Sequence, residues 1–401
     1  MNILFLVHRY PLGNESILEK DLVKIFSLKG HKVFVAVPNE KSFKEGTNIC
    51  KDGDITVLKV KTGNYFTTKS RIEKIISILT RPFLLKKTII KNFKDEKFDY
   101  VIGYTPFMAN DFLIRSLKKF YRAKSLLVLW DIFPQNAKDL KIIKNNFVFR
   151  FYKYKEKKMY DCFDKVICNC EGQIDYILEN NLKNKEDLIL SRNCEFLTEE
   201  RFNKEELREK IGLKNQEIIV LFGGNMGVPQ QLENIVFMAE NLQCDKNIKF
   251  IFIGSGTEKE KLKKMILDKK ISNIEIKDFV PRDEYENIIK TADIGIISLN
   301  RNYTVPNFPA KVTGYCKLGL PIFASLDQCS YKFLGNFIER NNLGVVTESG
   351  NIEQMKDDFL KMIKNLKNYK SENIQNVYKK EFDIEKAYNT IMKNIGEGNG
   401  K

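Results

Sequence analysis

Two glycine-rich segments in the C-terminal half of the sequence could bind a phosphate group. An apolar run ending at Phe222 continues into Gly223-Gly224-Asn225-Met226-Gly227, and a run ending at Ile253 continues into Gly254-Ser255-Gly256. Backbone amides approach a phosphate closely where side chains are absent, and open α/β sheets bind ligands at the carboxyl ends of their strands. One such segment is often only a tight turn, so the pair carries more weight than either member. Neither segment matches the dinucleotide fingerprint or the phosphate loop of kinases.

Lys311 is the candidate cation for such a phosphate. Pro309 suits the first turn of a helix and Gly319 suits its end, which places Lys311 near the helix N-terminus. The helix dipole favours acidic residues there, so a lysine at this position fits best if an anion lies opposite. The alternative is an ordinary solvated lysine on a helix surface.

In the N-terminal half, polar residues also follow apolar runs. Asp131 comes directly after the run Ser125–Trp130, and we expect it at the carboxyl edge of a sheet. Capping of the following turn is its alternative role. Asn14 and Glu15 follow the first apolar run and could contact a ligand, although a plain turn explains them equally well.

The elements that must position these residues alternate between strand and helix patterns. The strand patterns are near-continuous apolar runs, typical of parallel strands buried on both faces. Parallel strands need helical crossovers, so we predict an α/β protein with two doubly wound sheets in tandem. The predicted domains are residues 1–197, residues 198–373, and a C-terminal helix with a flexible tail over residues 374–401, which we expect to cross back to the N-terminal domain. The main predicted strands are 1–7, 32–37, 99–103, 125–130, 165–168, 217–222, 249–253, 274–276, 294–297 and 321–324.

Length and composition agree with this organisation. The chain has 401 residues, enough for two domains of about 200 residues each. Eight cysteines without a metal-ligand spacing and only two histidines make a structural metal site improbable, and we expect reduced thiols. No stretch approaches the roughly 20 apolar residues of a membrane span. The net charge of +15 suits an anionic partner, but the sequence carries no nucleic-acid-binding motif.

Taken together, the motifs resemble glycosyltransferase family 4, the retaining GT-B transferases, and particularly the branch that builds bacterial capsule and O-antigen sugars. The resemblance extends from Met1 to about Tyr388. It is carried by Gly223-Gly224-Asn225-Met226-Gly227-Val228-Pro229-Gln230, Thr304-Val305-Pro306-Asn307-Phe308-Pro309-Ala310-Lys311, Gly319-Leu320-Pro321, Trp130-Asp131-Ile132-Phe133-Pro134-Gln135-Asn136-Ala137 and Lys29-Gly30-His31-Lys32-Val33.

The resemblance implies a fold of two Rossmann-like domains facing a cleft, and an enzyme that transfers a sugar from a nucleotide diphosphate, with a uridine nucleotide expected. It implies an N-terminal acceptor domain, a C-terminal nucleotide-sugar domain and catalysis without a metal or other cofactor. Lys311 and Asp131 would be the catalytic residues, with Lys311 neutralising the leaving diphosphate. Asn14 and Glu15 would lie on the acceptor side. The sugar donor would be bound by Gly223, Gly224, Asn225, Gly254, Val280, Arg282, Arg301 and Pro309.

The sequence departs from the widespread family pattern at two places. Where that pattern has two glutamates, this chain has Pro306 and Gly314, and its usual Arg and Lys appear as Asn225 and Gln230. These departures leave more of the diphosphate charge to Lys311.

Two basic segments of the N-terminal half suggest a membrane surface as partner. Lys69–Lys94 holds eight Lys or Arg against the single acid Glu73, interleaved with apolar residues, and Phe147–Tyr160 is a second basic, aromatic stretch. Such composition is typical of segments that lie on anionic lipid. We therefore expect a cytoplasmic protein, peripheral at the inner face of the cell membrane, with a polyprenyl-diphosphate-linked saccharide acceptor. Two ordinary helices with lysines in water are the alternative.

Two competing functions remain open at this point. The first is a catalytically inactive scaffold of the same fold that binds lipid or nucleotide. The second is a nucleotide-sugar 2-epimerase, which needs acid–base groups that two histidines supply poorly. Tight binding of a nucleotide diphosphate would discriminate a transferase from a scaffold.

Overall fold

The structure is a computed structural model that describes residues 1–13, 15, 17–106, 108–198, 202–280 and 282–396, without the side chains of Arg282 and Asp283. Its strands are β1 (Asn2–Leu6), β2 (Lys32–Glu40), β3 (Asn48–Asp52), β4 (Ile55–Thr62), β5 (Tyr100–Tyr104), β6 (Lys124–Leu129), β7 (Lys165–Cys168), β8 (Leu188–Leu190), β9 (Ile218–Gly223), β10 (Ile248–Ile253), β11 (Ile274–Lys277), β12 (Ile294–Ser298), β13 (Ile322–Leu326) and β14 (Gly344–Glu348).

The helices that connect these strands vary widely in length. They are α1 (Leu18–Leu28), α2 (Arg71–Asn92), α3 (Asp111–Tyr121), α4 (Gln135–Asp139), α5 (Asn146–Cys162), α6 (Glu171–Glu179), α7 (Lys204–Lys210), α8 (Glu233–Glu240), α9 (Lys259–Asp268), α10 (Arg282–Lys290), α11 (Lys311–Lys317), α12 (Gln328–Ser330), α13 (Asn336–Arg340), α14 (Ile352–Lys364), α15 (Ser371–Glu381) and α16 (Ile384–Gly396). Across the described residues, none of them is long and apolar enough to cross a membrane.

The chain divides into two compact units. Unit 1 consists of Met1–Gln135, Ile143–Phe196 and Asp383–Lys401. Unit 2 consists of Asn136–Ile142 and Leu197–Phe382. Each unit therefore contains a short piece of chain that is distant in sequence from the rest of that unit.

Unit 1 is built on a sheet with the strand order β3-β4-β2-β1-β5-β6-β7-β8. The strands run parallel except β3, which pairs antiparallel with β4. The apolar residues of β1 are fully buried from Ile3 to Leu6, because helices cover both faces of a parallel sheet. On one face, Phe5 packs edge-on against Phe26 of α1 at 5.7 Å, and residues of α16 such as Ile391 complete the same core.

Two details of unit 1 differ from the sequence prediction. The second strand was predicted to span residues 32–37, but β2 continues through Pro38 to Glu40. The pairing of β1 with β2 ends at Leu6 and Ala36, so at Pro38 the strand β2 is paired with β4 on one side only. Proline is tolerated at such a position because it needs no hydrogen-bond partner for an N–H on the other side. The strands β3, β4 and β8 were not predicted, because they are short or only half apolar.

Unit 2 is built on an all-parallel sheet with the strand order β11-β10-β9-β12-β13-β14. From β9 the chain builds outward to β11, returns to the other side of β9 with β12, and continues to β14. The carboxyl ends of β9 and β12 are therefore the switch point of the sheet, where α/β proteins bind ligands. Phe222, Phe250, Phe252 and Phe323 fill the core on one face. Both units thus have the doubly wound α/β architecture that the sequence predicts.

Candidate functional site

The two loops at the switch point of unit 2 are tied to each other. After β12, the Asn300 N–H donates to the Pro229 carbonyl at 2.8 Å, and its side-chain amide donates to the Val228 carbonyl at 3.0 Å. The Ser298 hydroxyl donates to the Gln230 carbonyl at 2.6 Å. A ligand at this edge would therefore meet one rigid surface built from both loops.

The glycine-rich segments after β9 and β10 pack against each other. A Cβ atom on Gly254 would lie 2.0 Å from the Gly224 carbonyl oxygen, and one on Gly256 would lie 2.2 Å from the Met226 carbonyl oxygen. The Met226 N–H donates to the Ser255 carbonyl at 2.7 Å. Both Gly254 and Gly256 also have positive φ angles, of +142° and +154°. Packing alone therefore requires glycine at both positions, whatever ligand Gly254 approaches.

Gly223 has a different neighbour. A Cβ atom there would lie 1.8 Å from the hydroxyl oxygen of Tyr285, a residue of α10. Burial raises the pKa of the Tyr285 phenol to about 12. Gly223 therefore makes room for the side chain of Tyr285.

Gly224 and Asn225 are the exposed part of this surface. Gly224 has a φ angle of +126°, and its nearest neighbours on the side-chain side are the end atoms of Lys311. A Cβ atom on Gly224 would lie 3.2 Å from Cε and 3.4 Å from Nζ of that lysine. The structure therefore brings Gly224 and Lys311 together, although 87 positions separate them in the sequence.

The ammonium group of Lys311 lies in an apolar setting. Nζ is 4.8 Å from the centroid of the Phe222 ring, and burial lowers the pKa of the half-buried ammonium from 10.5 to about 8. Among the described side chains, no carboxylate lies within ion-pair distance of it. A cation in such a place is satisfied best by an external anion.

The helix that carries Lys311 begins and ends as the sequence predicts. Lys311 is the first residue of α11, and the Val312 N–H donates to the Pro309 carbonyl at 3.1 Å. At the other end, Gly319 has a φ angle of +66°, and the Leu320 N–H returns to the Tyr315 carbonyl at 2.9 Å. These contacts fix the two ends of α11 and with them the backbone position of Lys311.

The structure also describes most of the other predicted residues of unit 2. Arg301 is exposed: its N–H donates to the Gln231 side chain at 2.9 Å, and its guanidinium lies along Gly350. Val280 is half-buried after β11, and Pro309 is half-buried before α11. No contact within the described part joins Arg301 to Lys311. The Arg282 side chain lies outside the described residues.

Asp139 is a residue of unit 2 that the sequence reasoning missed. One of its carboxylate oxygens accepts from both the N–H and the hydroxyl of Thr304, each at 2.8 Å. Thr304 belongs to the loop between β12 and α11, so Asp139 helps to hold the loop that leads to Lys311. No local signal could have joined the two, because the pair is 165 positions apart.

In unit 1, Asp131 follows β6 as expected. Its N–H donates to the Thr105 hydroxyl at 3.1 Å, and its side chain keeps exposed surface. Desolvation raises the pKa of the Asp131 carboxyl, and the charge of His8 opposes part of that rise. Glu15 accepts from the guanidinium of Arg9 at 2.7 Å, whereas Asn14 lies outside the described residues.

The loop after β1 is held by two charged residues that we did not predict to be functional. Glu19 and Lys20, in the first turn of α1, are 3% and 0% exposed. The Lys20 ammonium donates to the Pro11 and Gly13 carbonyls at 2.7 and 2.6 Å and pairs with Asp52 at 2.9 Å. Sequence offers no signal for this arrangement, since charged residues at a helix start are usually solvated.

Part of the chain matches known glycosyl transferases in sequence. Residues 203–380 match the family described as glycosyl transferases group 1. Over 113 residues, the chain is 27% identical to the Escherichia coli (strain K12) protein named as a colanic acid biosynthesis glycosyl transferase, WcaI. That match spans 28% of this chain and 28% of the relative.

The whole chain is similar in fold to solved glycosyltransferase structures. Sucrose-phosphate synthase from Thermosynechococcus elongatus has a TM-score of 0.77 at 10% identity, with 99% of this chain and 98% of that chain covered. Anabaena HepE in complex with UDP and glucose has a TM-score of 0.69 at 13% identity, covering 99% and 100%. WaaG, a glycosyltransferase involved in lipopolysaccharide biosynthesis, has a TM-score of 0.65 at 15% identity, covering 96% and 98%.

These likenesses confirm the predicted GT-B fold. The match to a group 1 model is compatible with the resemblance to family 4, which stays a prediction. Its range contains the glycine segments, Arg301 and Lys311. The residues that carry the candidate anion site therefore lie within the part of the chain, residues 203–380, that matches the glycosyl transferases of group 1.

Proposed function

We propose that this protein is a glycosyltransferase that moves a sugar, with retention, from a nucleotide diphosphate to a lipid-linked saccharide during the assembly of a cell-surface polysaccharide. Unit 2 binds the sugar donor, and its diphosphate lies against Gly224, Asn225 and Lys311. The reaction uses no metal or other cofactor.

The position of Lys311 carries this proposal. Its ammonium group, without a carboxylate partner in the described part of the chain, lies beside the exposed backbone of Gly224 at the switch point of the sheet. When the bond between the anomeric carbon and the diphosphate breaks, negative charge grows on the leaving oxygen. A preorganised cation in a poorly solvated place stabilises that charge more than it stabilises the bound sugar donor.

A uridine nucleotide is the donor class we favour. Two proteins of the same fold support it: Anabaena HepE, solved in complex with UDP and glucose, and an Escherichia coli trehalose-6-phosphate protein, bound with UDP-2-fluoro glucose. A saccharide acceptor is supported by the relative named for colanic acid biosynthesis and by WaaG, which is involved in lipopolysaccharide biosynthesis.

Calorimetric titration of the purified protein with UDP, GDP, ADP and CMP, in the absence of metal, tests the donor site. We expect one nucleoside diphosphate to bind at micromolar strength. Lys311→Ala should weaken that binding by about 1–3 kcal/mol, the range for a charge-assisted contact. Lys317→Ala, at the last position of the same helix, is the matched control and should bind as the wild type does.

If none of the four nucleotides binds, the transferase proposal fails. A scaffold that has kept the fold without the chemistry then becomes the better description. A diphosphate that binds equally well to the wild type and to Lys311→Ala would move the anion site away from this lysine.

The acceptor side of the proposal depends on the surface of α2 in unit 1. Ile72, Ile75, Leu79 and Phe83 recur at intervals of three and four residues, so they share one face of the helix. All four are exposed, and Ile72 and Leu79 expose 72% and 64% of their surface. Leu85 and Ile89 lie buried against the sheet. An exposed apolar stripe on a basic helix favours contact with anionic lipid.

A second helix of unit 1 adds to this surface character. In α5, Phe147 is 82% exposed, and Phe151 and Tyr154 are exposed at the same helical spacing. The helix also carries Arg150 and Lys157 among its basic residues. The combination supports a protein that works peripherally at the inner face of a membrane, where a polyprenyl-diphosphate-linked acceptor would be available.

Flotation with vesicles of phosphatidylglycerol or of phosphatidylcholine tests the membrane contact. We expect binding to the anionic vesicles at low salt, weakened by salt. The double variant Ile72→Ser with Leu79→Ser should lose binding, whereas Leu267→Ser, which removes a leucine of unit 2 that is 77% exposed, should not. Absence of flotation would remove the membrane contact and leave the sugar-donor site untouched.

A further inference from the structure

Unit 1 contains a small cavity between α1, α16 and the carboxyl ends of β6 and β7. Its volume is about 30 Å³. Most of the side chains that line it are apolar, among them Leu18, Leu22, Val128, Trp130, Ile384 and Ala387. All of these residues belong to unit 1, so the cavity lies within one compact body. The carboxyl edge of a parallel sheet is also where α/β domains bind ligands.

The wall formed by the residues after β6 and β7 is fixed by hydrogen bonds. Gln173 of α6 is 1% exposed; its side chain donates to the Trp130 carbonyl at 3.1 Å and accepts from the Asn169 N–H at 2.7 Å. The side-chain oxygen of Asn169 accepts from the Asn193 N–H at 3.0 Å. Trp130, Asn169 and Asn193 all line the cavity, so this side of it is preformed.

Tyr104, the last residue of β5, lines the same cavity and is 1% exposed. Among the described residues, its hydroxyl oxygen has no hydrogen-bond partner. Burial raises the pKa of the phenol, so the hydroxyl keeps its proton and can donate. A buried hydroxyl without a partner is unfavourable, and an oxygen atom of a ligand would remove that cost.

The charge in the lining is already answered. Arg192 is the charged residue of the lining, and its guanidinium binds the Glu171 carboxylate at 2.8 and 3.3 Å. An anionic ligand would have to compete with Glu171 for it. The cavity therefore suits an uncharged group that combines an apolar part with one hydrogen-bond acceptor.

We propose that this cavity binds the acetamido group of an N-acetylated sugar in the acceptor. This inference rests on the saccharide acceptor of the proposed function. The acetyl methyl packs among the apolar side chains, and the acetyl oxygen accepts from the Tyr104 hydroxyl.

Size and chemistry both favour this group. One water molecule needs at least about 10–15 Å³, so a cavity of about 30 Å³ has room for the few heavy atoms of an acetyl group. A sugar hydroxyl would leave the apolar walls without a partner, and the methyl group of a deoxy sugar would leave the Tyr104 hydroxyl without one.

Saturation-transfer NMR of the intact protein with N-acetylglucosamine or with glucose tests the cavity. We expect N-acetylglucosamine to bind, with the acetyl methyl protons receiving more saturation than the ring protons, and glucose to give a weaker signal. Tyr104→Phe should weaken binding of N-acetylglucosamine about threefold to tenfold, the effect of losing one neutral hydrogen bond. Because the hydroxyl has no partner among the described residues, this variant should keep the unfolding midpoint of the wild type.

Tyr121→Phe is the matched control. Its hydroxyl donates to the Ile89 carbonyl at 3.5 Å, away from the residues that line the cavity, so N-acetylglucosamine should bind this variant as it binds the wild type. Ala387→Leu fills the cavity from α16 and should abolish the saturation of the acetyl methyl. If the larger side chain prevents folding, Tyr104→Phe alone decides.

The outcomes separate this inference from the proposed transfer reaction. Equal signals from N-acetylglucosamine and glucose, or no signal from either, would overturn the acetamido site, and a cavity that holds only water gives this result. Binding that Tyr104→Phe leaves unchanged would overturn it as well. A protein that binds UDP but not N-acetylglucosamine would keep its donor site and lose only this inference. One that binds N-acetylglucosamine but no nucleoside diphosphate would keep the cavity as a saccharide site and lose the transfer reaction.

Discussion

The backbone of Gly254 lies so close to Gly224 that a Cβ atom on Gly254 would be 2.0 Å from the Gly224 carbonyl oxygen. The Gly224 N–H in turn donates to the Ile253 carbonyl at 2.9 Å. The two glycine segments therefore form one packed layer at the ends of β9 and β10. A substitution in either segment is therefore expected to shift the surface that faces Lys311.

Gly254→Ala should destabilise unit 2 by about 2–4 kcal/mol, because backbone must move and the φ angle of +142° disfavours a side chain. The urea midpoint of the unfolding transition measures this loss. Gly314→Ala is the control: no atom lies within 4 Å of the added Cβ, and alanine favours the helix by about 0.5–1 kcal/mol. Equal stability of the two variants would contradict the close packing.

Binding of a nucleoside diphosphate should weaken as the pH rises past about 8, the pKa of the Lys311 ammonium. The ammonium attracts the anion only while it is protonated, so UDP affinity should fall about tenfold between pH 7 and 9. Calorimetric titration at both pH values gives the ratio. The arginine of Lys311→Arg keeps its charge between pH 7 and 9. Any loss of UDP affinity that this variant shows over that range must therefore come from a change in the nucleotide itself.

Arg208→Met should destabilise unit 2 by about 3–5 kcal/mol, the cost of breaking a buried charge network. The guanidinium is 4% exposed and donates to the Thr291 carbonyl at 3.0 and 2.8 Å, and it pairs with Asp293. Lys210→Met, at an exposed position of the same helix, should change stability by less than about 0.5 kcal/mol. A small effect of Arg208→Met would mean that Asp293 finds another partner.

The pair of Lys20 and Asp52 should give unit 1 an acid-sensitive component of stability. Burial alone would raise the pKa of Asp52, but the hydrogen bond and charge of Lys20 outweigh it and lower the pKa from 3.8. A lowered carboxyl pKa stabilises the fold above about pH 4, and this contribution is lost as the pH falls further. Denaturation at pH 7 and pH 3 measures the difference.

Asp52→Asn tests the origin of that component. It should be less stable than the wild type at pH 7, because Lys20 stays buried beside a neutral group, and it should lose less stability on acidification. Asp54→Asn, at an exposed position two residues along, should follow the wild-type curve. If Asp52→Asn also followed the wild-type curve, the pair of Lys20 and Asp52 would contribute nothing to the pH dependence of stability.

Much of the fold follows from local pattern. The apolar runs that form β1, β9 and β10 are continuous because helices cover both faces, and Pro309 and Gly319 bracket α11 through their backbone preferences. The strand Ile55–Thr62 mixes apolar with polar residues, so pattern alone did not single it out.

The details of the candidate site depend on contacts that no local rule contains. Lys311 is a plausible anion-binding residue from its place in a motif, but only the strand order brings it to Gly224. Glu19, Lys20 and Arg208 are charged residues in helices, which usually face water. Here each is buried because backbone groups bind its charge, from 9 positions away for Lys20 and Pro11 to 83 positions away for Arg208 and Thr291.

The division of the chain into units bears on how the protein is made by a ribosome. Unit 1 begins at Met1 but includes Asp383–Lys401, and its core contains Ile384 and Ile391 of α16. Synthesis proceeds from the N-terminus at about 5–20 residues per second. The sheet of unit 1 is therefore synthesised before unit 2, whereas α16 of unit 1 is synthesised after it. During synthesis, the apolar residues of the unit 1 sheet that α16 covers stay exposed until unit 2 has been synthesised. Removal of α16 would therefore leave the core of unit 1 incomplete.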